Sequence, residues 1–265
     1  MTQNREVFLV GDVWLAWLTA IGITGRGSEN FLQDAFFNLV SSFDVGTAVE
    51  VGAHEATFSR EIARRRPDVE VIALEANPEV HRKYLHELKS IKYLNVAAGE
   101  SETMVVISVP RRLRVREGER SLGATNRIGS IKSLRSGLIS EDLWEVQGVR
   151  LDSILQQSTA PFALWIDVEG AQMEVIRGGE ASLKDCAALY IEMEMRSGWE
   201  DAADFSEINE SLEAFGMTLI ARDAITTNMF NAVYVPKLML SHPAVKAFIH
   251  DACARALTAS REAYQ

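Results

Sequence analysis

Thr47-Ala48-Val49-Glu50-Val51-Gly52-Ala53-His54-Glu55-Ala56 and, one βα step later, Val71-Ile72-Ala73-Leu74-Glu75 are the stretches whose reading decides the fold. Each begins as an apolar run too short for a helix, and each closes on a glycine turn or an acid. Glu50 and Glu75 stand 25 positions apart, room for a strand, a crossover helix and a second strand. A tight turn after one parallel strand, and an acid at the tip of the next to hold a ribose diol, are the parts of a nucleoside-binding α/β sheet.

Working outward, strand and helix alternate. Ala48 to Val51 reads as a strand and Phe58 to Arg66 as a helix stopped by Pro67. Val69 to Leu74 is the next strand, Pro78 to Lys89 a helix with proline in its first turn, and Tyr93 to Ala97 a third strand. After a break at 100–150, Phe162 to Ile166, Leu189 to Met193, Met217 to Ala221 and Asn231 to Val235 read as strands. Gln172 to Arg177 and Phe205 to Phe215 lie between them as helices. The expectation is an α/β fold: a Rossmann-like, seven-stranded sheet with helices on both faces and a last strand inserted antiparallel beside its predecessor. Three parts are expected: a helical extension over 1–43, the sheet domain over 44–236, and a helical tail over 237–265 with a terminal helix from Ala244 to Leu257.

Composition narrows the class. The chain has 265 residues, 47% apolar and 24% charged, which suits a globular core of one domain with appendages. A net charge of −10 argues against a general nucleic-acid binder, which needs a basic face. The two cysteines, Cys186 and Cys253, are far apart and without metal spacing, so a reduced, cytoplasmic protein is expected. The apolar run Val7 to Ile23 is shorter than a membrane span, is interrupted by Asp12 and lacks a signal-peptide start. It reads as a buried or partner-facing helix that can pair two subunits in a homodimer, with a membrane-surface anchor as the other reading, and no transmembrane segment is expected.

The turn itself selects the cofactor. A dinucleotide needs glycines spaced so that its pyrophosphate can approach a helix N-terminus. Here Gly52 has no second glycine within the next five positions. S-adenosyl-L-methionine carries no phosphate and asks for an acid near the first turn to meet its ammonium group and another for its ribose. Glu50 and Glu75 answer both.

Downstream, Leu164-Trp165-Ile166-Asp167-Val168-Glu169-Gly170 is an apolar strand that delivers two acids to its carboxyl end. With Glu75-Ala76-Asn77-Pro78-Glu79, Asn95-Val96-Ala97-Ala98-Gly99, Leu151-Asp152-Ser153-Ile154 and the glycine-closed helix Met173 to Gly179, this resembles the FkbM-type family of S-adenosylmethionine-dependent methyltransferases. The resemblance covers about 45–235. It departs from the family pattern at Glu50, His54, Ala56 and Ala76, where aspartate, asparagine, glycine and proline are usual. The resemblance implies O-methylation of a sugar or natural-product hydroxyl. It implies cofactor contacts from Glu50, Gly52, Ala53, His54, Glu75, Ala76, Val96, Ala97 and Asp167. Asp167 is the first candidate beside the transferred methyl group, as general base or as orienting acceptor, and Glu169 the second.

Two features bear on the acceptor, a small molecule. Residues 111–135 hold seven arginines and one lysine against two glutamates, and with Gly118, Gly123 and Gly129 as hinges they can fold over the site as a lid. Arginines pair with carboxylate or phosphate, so an anionic acceptor is one expectation and Arg112 and Arg114 its first readers. The other reading of this segment is a solvated loop. Glu192 and Glu194 share a strand face and, with Asp167 and Asp152, have the oxygen chemistry of a divalent-metal site. The plainer reading takes Glu192 as a hydrogen-bond acceptor near the pocket, and no metal ligand is assigned. A second class is kept open by Ala56 and Ala76: a noncatalytic binding protein that retains the fold.

Overall fold

The computed structural model describes residues 25–223 and 225–250. The apolar run Val7 to Ile23, and with it the expected pairing helix, lies outside the described residues, as does the end of the C-terminal tail. In chain order the elements are α1 (Arg26–Ser41), β1 (Thr47–Val51), α2 (Thr57–Arg65), β2 (Glu70–Leu74), α3 (Pro78–Tyr84), β3 (Lys92–Leu94), β4 (Ala97–Ala98), β5 (Met104–Val115), β6 (Gly118–Ser121) and β7 (Leu138–Val149). They continue with α4 (Leu151–Leu155), β8 (Phe162–Ile166), α5 (Gln172–Gly178), β9 (Cys186–Glu194), α6 (Phe205–Ala214), β10 (Met217–Arg222) and β11 (Met229–Pro236). Residues 243–250 are helical and bury Val245 and Phe248.

Seven strands form the main sheet in the order β10-β11-β9-β8-β1-β2-β3. The pairs from β9 to β3 are parallel, and β11 is antiparallel to both its neighbours, β9 and β10. The expected insertion of the last strand is therefore what the chain does. Strands β1 and β8 are buried along their whole length because helices cover both faces. On one face an aromatic stack locks α1 to the sheet: Phe36 and Phe37 pack on Phe58, Trp165 and Tyr190, and the Trp165 and Tyr190 rings lie parallel with centroids 3.7 Å apart.

Two expectations about elements are corrected. The third strand does not run from Tyr93 to Ala97: it breaks after Leu94, and Ala97–Ala98 join a separate four-stranded sheet of order β4-β7-β5-β6. Asn95 is the reason, since its side-chain amide donates to the carbonyls of Glu75 and Ala76 and turns the chain out of the first sheet. The basic segment is not one loop. Its first half continues β5 to Val115 and returns as β6, and only 122–137 is irregular. Strand β7 was the unread element here; its signal was the alternation of Trp144, Val146 and Gly148 with Glu145, Gln147 and Val149.

Candidate active site

The carboxyl ends of β1, β2 and β8 open into a cavity of about 670 Å³. All ten residues expected at the site line it: Glu50, Gly52, Ala53, His54, Glu75, Ala76, Val96, Ala97, Asp167 and Glu169. Ligands in open α/β sheets bind at this edge, where strand order reverses.

Gly52 is required for a local reason. Its φ is +78°, and a Cβ added there would sit 1.9 Å from the carbonyl oxygen of Asp167. The turn after β1 therefore crosses directly over the chain leaving β8. His54 and Ala56 also have positive φ, 44° and 59°. Ala56 is the residue where glycine was expected; it occupies the left-handed conformation without glycine's freedom, at a cost of about 1 kcal/mol. It is buried and is not part of the cavity wall, so this departure falls on the turn and not on the ligand space.

Glu50 has a different task from the one expected. Its carboxylate accepts the backbone N–H groups of Phe58 (3.2 Å) and Ser59 (2.8 Å), the first turn of α2. The N-cap position of α2 is Ala56, which has no oxygen to offer, and the longer arm of a glutamate lets β1 supply the cap instead. Glu75 ties two turns together, accepting from His54 N–H at 2.7 Å and from Asn77 N–H at 2.6 Å. Each of its oxygens keeps a second lone pair. Burial pushes both carboxyls up to about 7, against the pull of these N–H donors. His54 is held below the usual histidine value by burial, and its Nε2 lies 3.0 Å from the carbonyl of Thr125.

Across the cavity the acids are not engaged in this way. Asp167 and Glu192 line the wall, and no side-chain hydrogen bond holds their carboxylates among the described residues. Asp167 is raised by burial, with the Arg127 guanidinium opposing and Glu29 adding to the rise. Glu169 is raised by burial, then by the charges of Asp167 and Glu194; its carboxylate accepts the Trp199 indole N–H at 3.2 Å. Glu192 is raised by burial and by its acidic neighbours, Asp167 first among them.

The irregular segment after β6 does cover the site. Asn126, Arg127, Gly129, Ser130 and Ile131 line the cavity, and Ala124 and Thr125 bond through their carbonyls to Asn77 and His54. Ser130 donates to the carbonyl of Glu169. Arg127 pairs with Glu55 at 2.8 Å. Arg112 and Arg114, by contrast, lie on β5 away from the cavity, and Arg112 is paired with Glu119, so neither reads an acceptor there. Asp152 also leaves the site, since it holds the Ser182 backbone N–H and hydroxyl. Among the described residues no group of His, Cys, Asp and Glu is arranged to hold a metal ion.

Sequence reading missed one wall. Arg26, Glu29, Asn30 and Gln33 of α1 line the cavity. Their spacing of i, i+3, i+4 and i+7 was the available signal, a polar stripe on a helix taken only for its apolar face.

A parallel sheet with an antiparallel seventh strand inserted next to last, and an acid-lined cavity at its switch point, define a methyltransferase-type α/β protein. The chain belongs to the FkbM methyltransferase domain family, which residues 44–219 match. No curated protein matches the sequence. Among solved structures it is similar to methyltransferase FkbM from Methylobacillus flagellatus KT, at 14% identity and a TM-score of 0.43, over 72% of this chain and 44% of that one. The chain thus spans less than half the length of that relative. It is also similar to magnesium protoporphyrin IX methyltransferase from Synechocystis PCC 6803 with bound SAM (8% identity, TM-score 0.44, 80% and 81% covered). Aeropyrum pernix fibrillarin with natively bound S-adenosyl-L-methionine is a third (11%, 0.43, 77% and 76%).

Proposed function

We propose that this protein transfers a methyl group from S-adenosyl-L-methionine to a hydroxyl of a sugar or natural-product acceptor. The observation that carries the reading is the chemistry of the cavity wall. A pyrophosphate placed beside Gly52 would face Glu50, Glu75 and Asp167, and of the two arginines that line the cavity among the described residues, Arg26 and Arg127, the second is already paired with Glu55. A phosphate-free donor with two positive centres suits that wall. Glu75 has lone pairs left for a ribose diol, Val96 and Ala97 offer an uncharged surface to a base, and the Gly52 turn leaves room for the amino-acid arm.

When bound, the donor supplies an electrophilic methyl carbon: the acceptor oxygen bonds to it as the C–S electron pair returns to sulfur. Asp167, which bonds to no other side chain among the described residues, accepts the acceptor's hydroxyl proton and orients its lone pair. Glu169, fixed by Trp199 and Ser130, keeps the turn after β8 in place beside it. The 122–132 segment narrows access of water from above.

Titration calorimetry with S-adenosylhomocysteine tests the donor site. Micromolar binding that weakens at least tenfold in Glu75→Gln is expected. A well-folded protein that binds neither this product nor the donor refutes the reading.

A further inference from the structure

Resting on that reading, we infer that the wall formed by Glu29 of α1 and Glu192 of β9 is an acceptor subsite that takes a cationic amine, so that the acceptor is an amine-bearing polyol of the amino-sugar kind. The cavity is longer than the donor's own contacts. Glu192 is three strands from Glu75 in the order β9-β8-β1-β2, which at strand spacing is about 14 Å. The donor residues lie on the β1–β2 side, and the polar stripe of α1 lines the same cavity as Glu192.

That stripe is placed by packing. Helix α1 is pinned through Phe36 and Phe37 to the aromatic stack over Trp165 and Tyr190, so its first two turns project over the cavity. The helix lies outside the residues that match the family, 44–219. Of the two acids of this wall, Glu29 therefore stands outside the shared domain and Glu192 within it.

Charge chooses the ligand class. Of the cavity's cations, Arg127 is already paired with Glu55, which leaves Arg26 at the rim. Glu29, Asp167 and Glu192 line the same cavity, where Glu29 pushes up the protonation of both others and Asp167 that of Glu192. A sulfonium beside Asp167 offsets one charge. An acidic acceptor would add to the remainder, and a neutral one would enclose carboxylates without a counter-charge. A protonated amine between Glu29 and Glu192 satisfies them, while Asn30 and Gln33 offer amide partners to hydroxyls.

Binding of glucosamine, N-acetylglucosamine and glucuronate is measured by calorimetry, with and without saturating S-adenosylhomocysteine. Glucosamine is expected to bind at least tenfold tighter than the other two. Glu29→Gln and Glu192→Gln should each cut its affinity at least fivefold while N-acetylglucosamine changes less than twofold. Glu29→Lys should reverse the preference toward glucuronate, with the thermal midpoint as folding control. Equal affinities, or a preference for glucuronate in the unaltered protein, overturn the inference. Absence of S-adenosylhomocysteine binding overturns only the donor reading, because the three sugars are still compared on the protein without it.

Discussion

The acids at the ends of β1 and β2 and those at the ends of β8 and β9 face the same cavity and do different work. Glu50 and Glu75 together accept four backbone N–H groups and hold the turns that shape the donor side. Asp167 and Glu192 hold no such bond and present their charge to whatever enters. What separates them is engagement: Glu50 reaches the first amides of α2, whereas among the described residues Asp167 caps no helix. A carboxylate bonded to its own backbone is structure, and one left open is available for chemistry.

The harshest way to break that division is to separate the two regions where they touch. Gly52→Ala puts a Cβ into the Asp167 carbonyl at positive φ, and a loss of about 3 kcal/mol or more in urea unfolding is expected, together with product binding. Asp167→Asn sharpens the contrast from the other side. Unfolding should be unchanged or slightly harder, while kcat falls roughly 100- to 10,000-fold; unchanged turnover would remove Asp167 from the chemistry.

Glu50→Ala should do the reverse. It strands the buried N–H groups of Phe58 and Ser59, and a stability loss of about 2 kcal/mol is expected from the missing cap. A stability equal to wild type would show that the cap is dispensable.

The same carboxylates give a pH signature. Glu50 and Glu75 titrate near 7 in the folded chain and near 4.5 when free. Between those values the unfolded chain has released protons that the native chain retains, so the contribution of these two groups to stability is full below 4.5 and is lost as pH rises through 7. His54, held below its free value, works in the opposite direction up to its free value of 6.5. Denaturation midpoints at pH 5 and 7.5 should differ in the carboxylates' favour, and Glu50→Gln should flatten the difference. The smallest effect is reserved for Ala56→Gly. Relief of the left-handed strain is nearly offset by a lost buried methyl and a looser unfolded chain, leaving a change within about 1 kcal/mol.

How much of this was legible follows from the range of each interaction. Residues 47–56, 71–75 and 164–170 announce their strands by short apolar runs, and their acids fall at the carboxyl ends because that is where the runs stop. Seven of the ten expected site residues come from these stretches and meet at one cavity for that reason, and Ala76, Val96 and Ala97 join them there. The roles within it were less legible. That Glu50 caps α2 depends on a glutamate arm crossing to amides eight and nine residues on. That Arg112 and Arg114 leave the site depends on a hairpin that turns at Gly118, a glycine read as the hinge of a lid.

By itself the sequence determined the sheet, its topology and the edge where a ligand is met, because hydrophobic period and strand order are local properties of the chain. Only the tertiary structure decided which acids are bonded, which are open, and that α1 lines the cavity. Those outcomes depend on distances between residues such as Glu29 and Asp167, 138 positions apart in the chain, which packing alone brings together.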